Sequence, residues 1–203
     1  MVATRLPNGN QKKPVTKSGD GGFRVLRVLR RKGDILMAMP LGHFRSEILQ
    51  PNLADLNDGY GPLHSGFNAV AAVDAYASHI FHDLENSGRD PFKEIGVEQP
   101  KNNDDGAFRY ALAKKCPDFE LLRDTAKANK HAKLTQHSPV VNGSGDTEIQ
   151  SVGFGKGKYG LGSYGSLSQI TVTDVKGHDH NLWSAVKASV HFLDGIAGDL
   201  GLL

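Results

Sequence analysis

The stretch Pro117-Asp118-Phe119-Glu120-Leu121-Leu122-Arg123-Asp124-Thr125-Ala126-Lys127-Ala128-Asn129-Lys130-His131-Ala132-Lys133-Leu134 reads as one helix, and the rest of the chain is ordered around it. Pro117 suits a first helical position, where its missing N–H costs nothing. Asp118 and Glu120 fall in the first turn and Lys127, Lys130, His131 and Lys133 near the end, the order that the helix dipole favours. Phe119, Leu122, Ala126 and Asn129 recur at spacings of three and four and predict a buried face ending in an amide. Asp124, Lys127 and His131 share a second face. That face reads in two ways. It is either a polar cluster of Arg123, Asp124, Asn129, Lys130 and His131 at a groove or a dimer seam, or a solvated surface carrying intrahelical pairs such as Asp124 with Lys127.

Working toward the N-terminus, Phe108, Ala111 and Leu112 predict a short helix running to Lys115, capped by Asp104 or Asp105. Residues 87–105, with Gly88, Pro91, Gly96 and Pro100, read as a loop. A long helix is expected from Leu63 to Leu84, its wide apolar face marked by Phe67, Val70, Ala77, Phe81 and Leu84 beside Val73, Tyr76 and Ile80. Leu41, Phe44 and Ile48 predict a brief helix that Pro51 stops or kinks. Working toward the C-terminus, segments 139–141, 147–152 and 169–175 are rich in β-branched residues and read as strands. Asp179 or Asn181 caps a last helix, in which Trp183, Val186, Val190, Leu193, Ala197 and Leu200 form a seam suited to another helix. The expected fold is therefore mainly α: a bundle of about four main helices with a glycine-rich β-hairpin or small sheet inserted before the last helix. Residues 37–203 read as a single helical-bundle domain with the hairpin at about 139–175.

The chain of 203 residues carries a net charge of +2 that hides an asymmetry. Residues 1–33 hold nine Lys or Arg and one acid, and the remainder holds fifteen basic and twenty-one acidic residues. Residues 1–36 therefore read as a basic, disordered extension. It is either an arm that touches nucleic acid or an acidic partner, or an addition ahead of a start at Met37 or Met39. One cysteine, Cys116, excludes a disulfide framework and a cysteine-rich zinc site and points to a cytoplasmic setting. No stretch approaches the length of a membrane span.

Several motifs invite chemistry. Residues 153–165 contain two overlapping G-x-G-x-x-G matches, but a strand rather than a helix follows, so a dinucleotide site is not expected. The plainer readings are a hairpin tip, or a lip in which Lys156, Lys158 and Tyr159 touch RNA by charge and stacking. His79 and His82 lie at i,i+3, and His178 and His180 flank Asp179; no spacing supplies a third ligand, so neither a metal nor another cofactor is expected. No G-x-S-x-G occurs. Cys116 stands at a helix start, which favours a thiolate, although a lone buried thiol is the simpler reading.

The run from Phe108-Arg109 through Leu112-Ala113, Cys116-Pro117-Asp118-Phe119, Leu122-Arg123-Asp124 and Asn129-Lys130-His131-Ala132-Lys133-Leu134, with a closing helix after a hairpin, resembles a group of uncharacterised bacterial helical-bundle proteins. More remotely it is similar to the HEPN bundles. That resemblance implies a helical fold, dimerisation, and either a metal-independent ribonuclease or a non-catalytic binding module. The nuclease members carry a closely spaced arginine–histidine pair. The nearest match here, Arg123 and His131 with seven residues between them, is wider.

The expected function is a non-catalytic, dimerising helical-bundle module that binds RNA or a protein partner. The alternative is a divergent ribonuclease in which Arg123, Asp124 and His131 are catalytic, with His131 as general acid or base, and Asn129, Lys130, Lys156, Lys158 and Tyr159 bind the substrate.

Overall fold

A computed structural model describes residues 39–135, 138–150 and 168–203. The chain enters through α1 (Leu41–Phe44), a five-residue π turn (Arg45–Leu49) and α2 (Gln50–Leu56), which run on without leaving helical backbone angles. Pro51 therefore does not stop this helix. The wider π turn sits just ahead of it, where the proline lacks an N–H to continue the α pattern. The extra residue also shifts the apolar face: Leu49 is fully buried, whereas Ile48 is 37% exposed. Asn57, Asp58 and Gly59 then reverse the chain with φ of 49°, 54° and 90°.

The long α3 (Leu63–Asn86) is the axis of the core. Val70, Val73, Tyr76, Ala77, Ile80 and Leu84 are wholly buried along it. At Gly66 the helix passes so close to the sheet that a Cβ would stand 2.9 Å from both Ile170 Cδ1 and Leu182 Cδ2. The segment expected to be a loop contains α4 (Pro91–Glu94), whose first N–H groups are capped by Asp90. Its Phe92 joins Phe81 and Phe108 in a cluster with ring centres 5.5 to 6.3 Å apart. Each such pair adds about 0.5–1.5 kcal/mol beyond burial. That cluster explains why the segment is pinned down.

Asp104 caps α5 (Asp105–Ala113) by accepting from Ala107 N–H at 2.7 Å. Next comes α6 (Pro117–His131), and the last helix is α7 (Leu182–Asp199), capped by Asn181. Helices α3, α6 and α7 pack against one another, and α5 packs on α3 and α6. A small antiparallel sheet precedes α7: β1 (Thr147–Gln150), β2 (Gln169–Thr173) and β3 (Asp179–Asn181), with β2 in the middle. The register pairs Thr147 with Val172 and Thr171 with Asn181. Two strand expectations need correction. Segment 139–141 is not a strand, and β3 occupies residues expected only to cap α7.

The apolar faces of 63–84 and 183–200 meet inside this chain. Val186, Leu193 and Ala197 are buried in the same core as α3. One polar tie crosses it: Asp194 on α7 accepts from Tyr76 Oη on α3 and from Arg45 in the π turn. Among the described residues, no helix is long and apolar enough to cross a membrane.

Candidate functional site

Glu120, Asp124, Lys127 and His131 follow one another along α6 at spacings of four, three and four, so they form a single stripe. The stripe faces a cleft of about 480 Å³, which Arg123 also lines. Tyr110 of α5 forms one wall, and Lys133, Leu134, Thr135 and Pro139 form the other. Arg123 and Asp124 lie deepest, with 8% and 6% of their surfaces exposed.

The far wall exists because α6 ends abruptly. Ala132 takes a positive φ of 59°, which turns the chain back. Leu134 N–H then donates to Asn142 O at 2.7 Å and Ser144 N–H to Ala132 O at 3.1 Å. Gly143 is needed there, since a Cβ would fall 2.6 Å from Ala132 O. Asp146 holds the returning chain by accepting from the N–H groups of Asn142 and Gly143.

Charge at the base of the cleft is incompletely balanced. Asp124 divides its carboxylate: Oδ1 accepts from Arg123 Nη1 at 3.3 Å, and Oδ2 accepts from Val140 N–H at 2.9 Å. Arg123 Nε is buried with no hydrogen-bond partner among the described residues. Burial pushes the Arg123 guanidinium below its ordinary pKa, against the pull of Asp124 and of Asp74 behind it on α3. Asp74 is itself committed to Arg109, which donates to it at 2.5 Å. Burial raises the Asp74 carboxyl, and Arg109 opposes that rise. Lys127 is held below the ordinary lysine value, first by burial and then by Arg123. Glu120, the other carboxylate at the cleft, is taken by Lys114 Nζ at 2.5 Å. The side chains of Lys127, His131 and Lys133 make no hydrogen bond or ion pair among the described residues. The cleft thus presents two lysines without an ion pair among the described residues, Lys127 partly dehydrated and Lys133 exposed, and an anion entering it would supply a partner.

The structure brings Arg123, Asp124 and His131 to this cleft. Arg123 and His131 are eight residues apart, which is about 12 Å along a helix axis. Asp124 is not the surface partner of Lys127; it pairs with Arg123 in the interior. Asn129 and Lys130 lie outside the lining. Asn129 is half-buried, with both amide atoms lacking a partner among the described residues, and Lys130 is exposed. Lys156, Lys158 and Tyr159, with the whole glycine-rich stretch, lie outside the described residues, as does the basic extension. The 3.6-residue period could have added Glu120 and Lys127 to the expected site. Tyr110, Lys133 and Pro139 carry no such signal, because only the tertiary fold brings α5 and the returning chain to α6.

The remaining candidates for chemistry are occupied otherwise. His79 Nδ1 lies 2.9 Å from Met39 O, and its ring stacks on Phe44. His82 pairs with Glu85. Among the described residues, no group of three or more His, Cys, Asp or Glu is placed to hold a metal. Cys116 is buried, and burial raises its thiol pKa, away from a thiolate nucleophile. Compared with known proteins, the chain matches no family model, no curated protein and no solved structure.

Proposed function

We propose that this chain is a non-catalytic helical-bundle module that binds RNA through the cleft on α6. The observation that carries the reading is the set of Lys127 and Lys133, unpaired, around the desolvated Arg123. Phosphates supply the counter-charge such a set lacks, and the cation-lined cleft with an exposed tyrosine on its rim matches the charge and stacking used for single strands. The cleft is lined within one chain, so the reading needs no second copy.

The non-catalytic form rests on Arg123 and His131. The guanidinium that would steady a transition state donates to Asp124 and sits two helical turns from the imidazole. A positioned acid or base works within hydrogen-bond reach of the proton it moves. A second reading, a metal-independent ribonuclease, is favoured by one observation: Lys127 and His131 lie one turn apart on the stripe, and burial lowers the Lys127 ammonium below its ordinary pKa.

Fluorescence anisotropy of the full chain with labelled single-stranded RNA tests the proposal. Binding in the range typical of non-specific contacts, roughly 10⁻⁴–10⁻⁶ M at physiological salt, is expected. Lys127→Glu and Lys133→Glu, each shown to fold by circular dichroism, should each weaken it several-fold. Unchanged binding in both variants would transfer the activity to the basic N-terminal stretch and sink the cleft. The same samples, run on a denaturing gel with EDTA, decide the second reading. Cleavage that His131→Ala abolishes would establish the nuclease.

A further inference from the structure

Beside the cationic cleft lies a second depression of about 320 Å³ whose surface is almost wholly apolar, lined by Val97, Pro100, Ala107, Tyr110 and Ala111 together with the charged Glu98, Lys114 and Lys115. Tyr110 lines both and stands between them. It is 43% exposed, unusual for so large a side chain on a helix that packs against two others. Ala107, Tyr110 and Ala111 share one face of α5, and the two alanines leave space beside the phenol ring. The ring also faces cations: Lys114 Nζ is 4.9 Å and Arg123 Cζ 5.3 Å from its centre.

We infer that this depression receives a nucleobase of a single strand whose adjoining phosphate occupies the α6 cleft, an inference that rests on the cleft's RNA reading. The occupant must carry a flat apolar face and a negative charge close together, because one tyrosine separates the apolar wall from the unpaired lysines. Bases on a phosphodiester chain meet both conditions. Lys114 is taken by Glu120 and Lys115 by Ile95 O, and the surface presented is almost wholly apolar, so the depression reads the base by stacking and shape. Discrimination among the four bases is therefore weak, while discrimination against a duplex, whose bases are already stacked, is strong.

The test is competition on the full chain, with labelled oligoadenylate displaced by unlabelled oligoadenylate, an abasic oligomer of equal length, duplex RNA, inorganic polyphosphate and dodecyl phosphate. Oligoadenylate should compete about tenfold better than the abasic oligomer, the scale of one stacked base. Ala111→Leu, which fills the depression without lining the cleft, should remove that advantage and leave polyphosphate binding unchanged; Tyr110→Ala should remove it as well. Tyr110→Phe should restore it. Equal competition by oligoadenylate and abasic oligomer in the wild type would overturn the nucleobase while leaving the anion cleft intact. So would dodecyl phosphate competing best and losing its grip in Ala111→Leu, which would assign the depression to an acyl chain. Failure of oligoadenylate and polyphosphate alike to bind would bring down the cleft itself, and the depression with it.

Discussion

Asp124 Oδ2 accepts a hydrogen bond from Val140 N–H at 2.9 Å, across sixteen residues of chain, and so fastens the far wall of the cleft to α6. The same carboxylate is the only side chain that Arg123 hydrogen-bonds among the described residues. Its two duties can be separated by substitution. Asp124→Ala removes both and leaves a buried cation unpaired, which should cost about 3 kcal/mol in urea denaturation. Asp124→Asn keeps an oxygen for Val140 N–H and removes the charge. It should lose less stability and bind inorganic polyphosphate about fivefold more tightly, the worth of one removed charge near a surface. Weaker polyphosphate binding by a folded Asp124→Asn would show that Arg123 does not face the ligand.

Lys127 gives the cleft a pH dependence. Its pKa is lowered from the ordinary 10.5, chiefly by burial and further by Arg123. The charged form binds the anion, so affinity is full below the Lys127 value and falls as pH rises through it, earlier than an exposed lysine would allow. Polyphosphate titrations across the alkaline range should show that fall in the wild type. Lys127→Arg should abolish it, because arginine keeps its charge. A wild-type profile that follows an ordinary lysine would remove Lys127 from the ligand's surroundings.

A third prediction concerns the bundle alone. Arg45 donates to Asp194 at 3.0 and 2.7 Å, and Tyr76 Oη donates at 2.8 Å, which joins the π turn, α3 and α7 at one carboxylate. Burial and the bond to Asp194 raise the Tyr76 phenol well above its ordinary pKa, so it remains a donor throughout the working range. Tyr76→Phe should cost about 2 kcal/mol, the value of a hydrogen bond to a charged acceptor. Asp194→Ala should cost more, because it leaves a buried hydroxyl without a partner. Arg45 is a third exposed, and Arg45→Ala should cost about 1 kcal/mol or less. Reversal of that order in equilibrium unfolding would show that the arginine, not the tyrosine, holds α7.

These contacts show what could be read from the amino-acid order and what could not. Helix α6 was legible because proline, early acids and late bases mark its ends, and its polar stripe repeats with the helical period. Helices α3 and α7 were legible from apolar periodicity. That periodicity did not say where the faces would go, and they meet each other inside the core. The slip from Ile48 to Leu49 was invisible because a π turn changes the period in one place. Asp90 and Pro91 are a sound helix start inside a segment whose other glycines and prolines speak for a loop. The cleft was half legible. Its α6 side follows from spacing, but Tyr110 and Pro139 arrive through packing, which no local pattern encodes.

The loop before β3 offers a prediction with a defined sign. Asp174 accepts from the N–H groups of Lys176 and His178 at 2.8 and 2.9 Å, and lies 3.3 Å from His178 Nδ1 and 3.2 Å from His180 Nε2. Burial alone would raise its pKa, but these bonds outweigh it and hold the carboxyl well below the ordinary 3.8. A carboxylate lowered in the folded state contributes stability that is fully present above its unfolded value and is lost as pH falls through the folded one. Asp174→Asn should therefore cost about 1 kcal/mol at neutral pH. The gap between wild type and variant should narrow as pH drops below 3.8, where the unfolded carboxylate takes up a proton that the folded one does not, and should close only as the folded carboxyl itself is protonated, well below that value. Urea unfolding at matched pH values measures that gap. A gap that stays constant into acid would mean that the turn is held by shape and that the carboxylate charge contributes nothing.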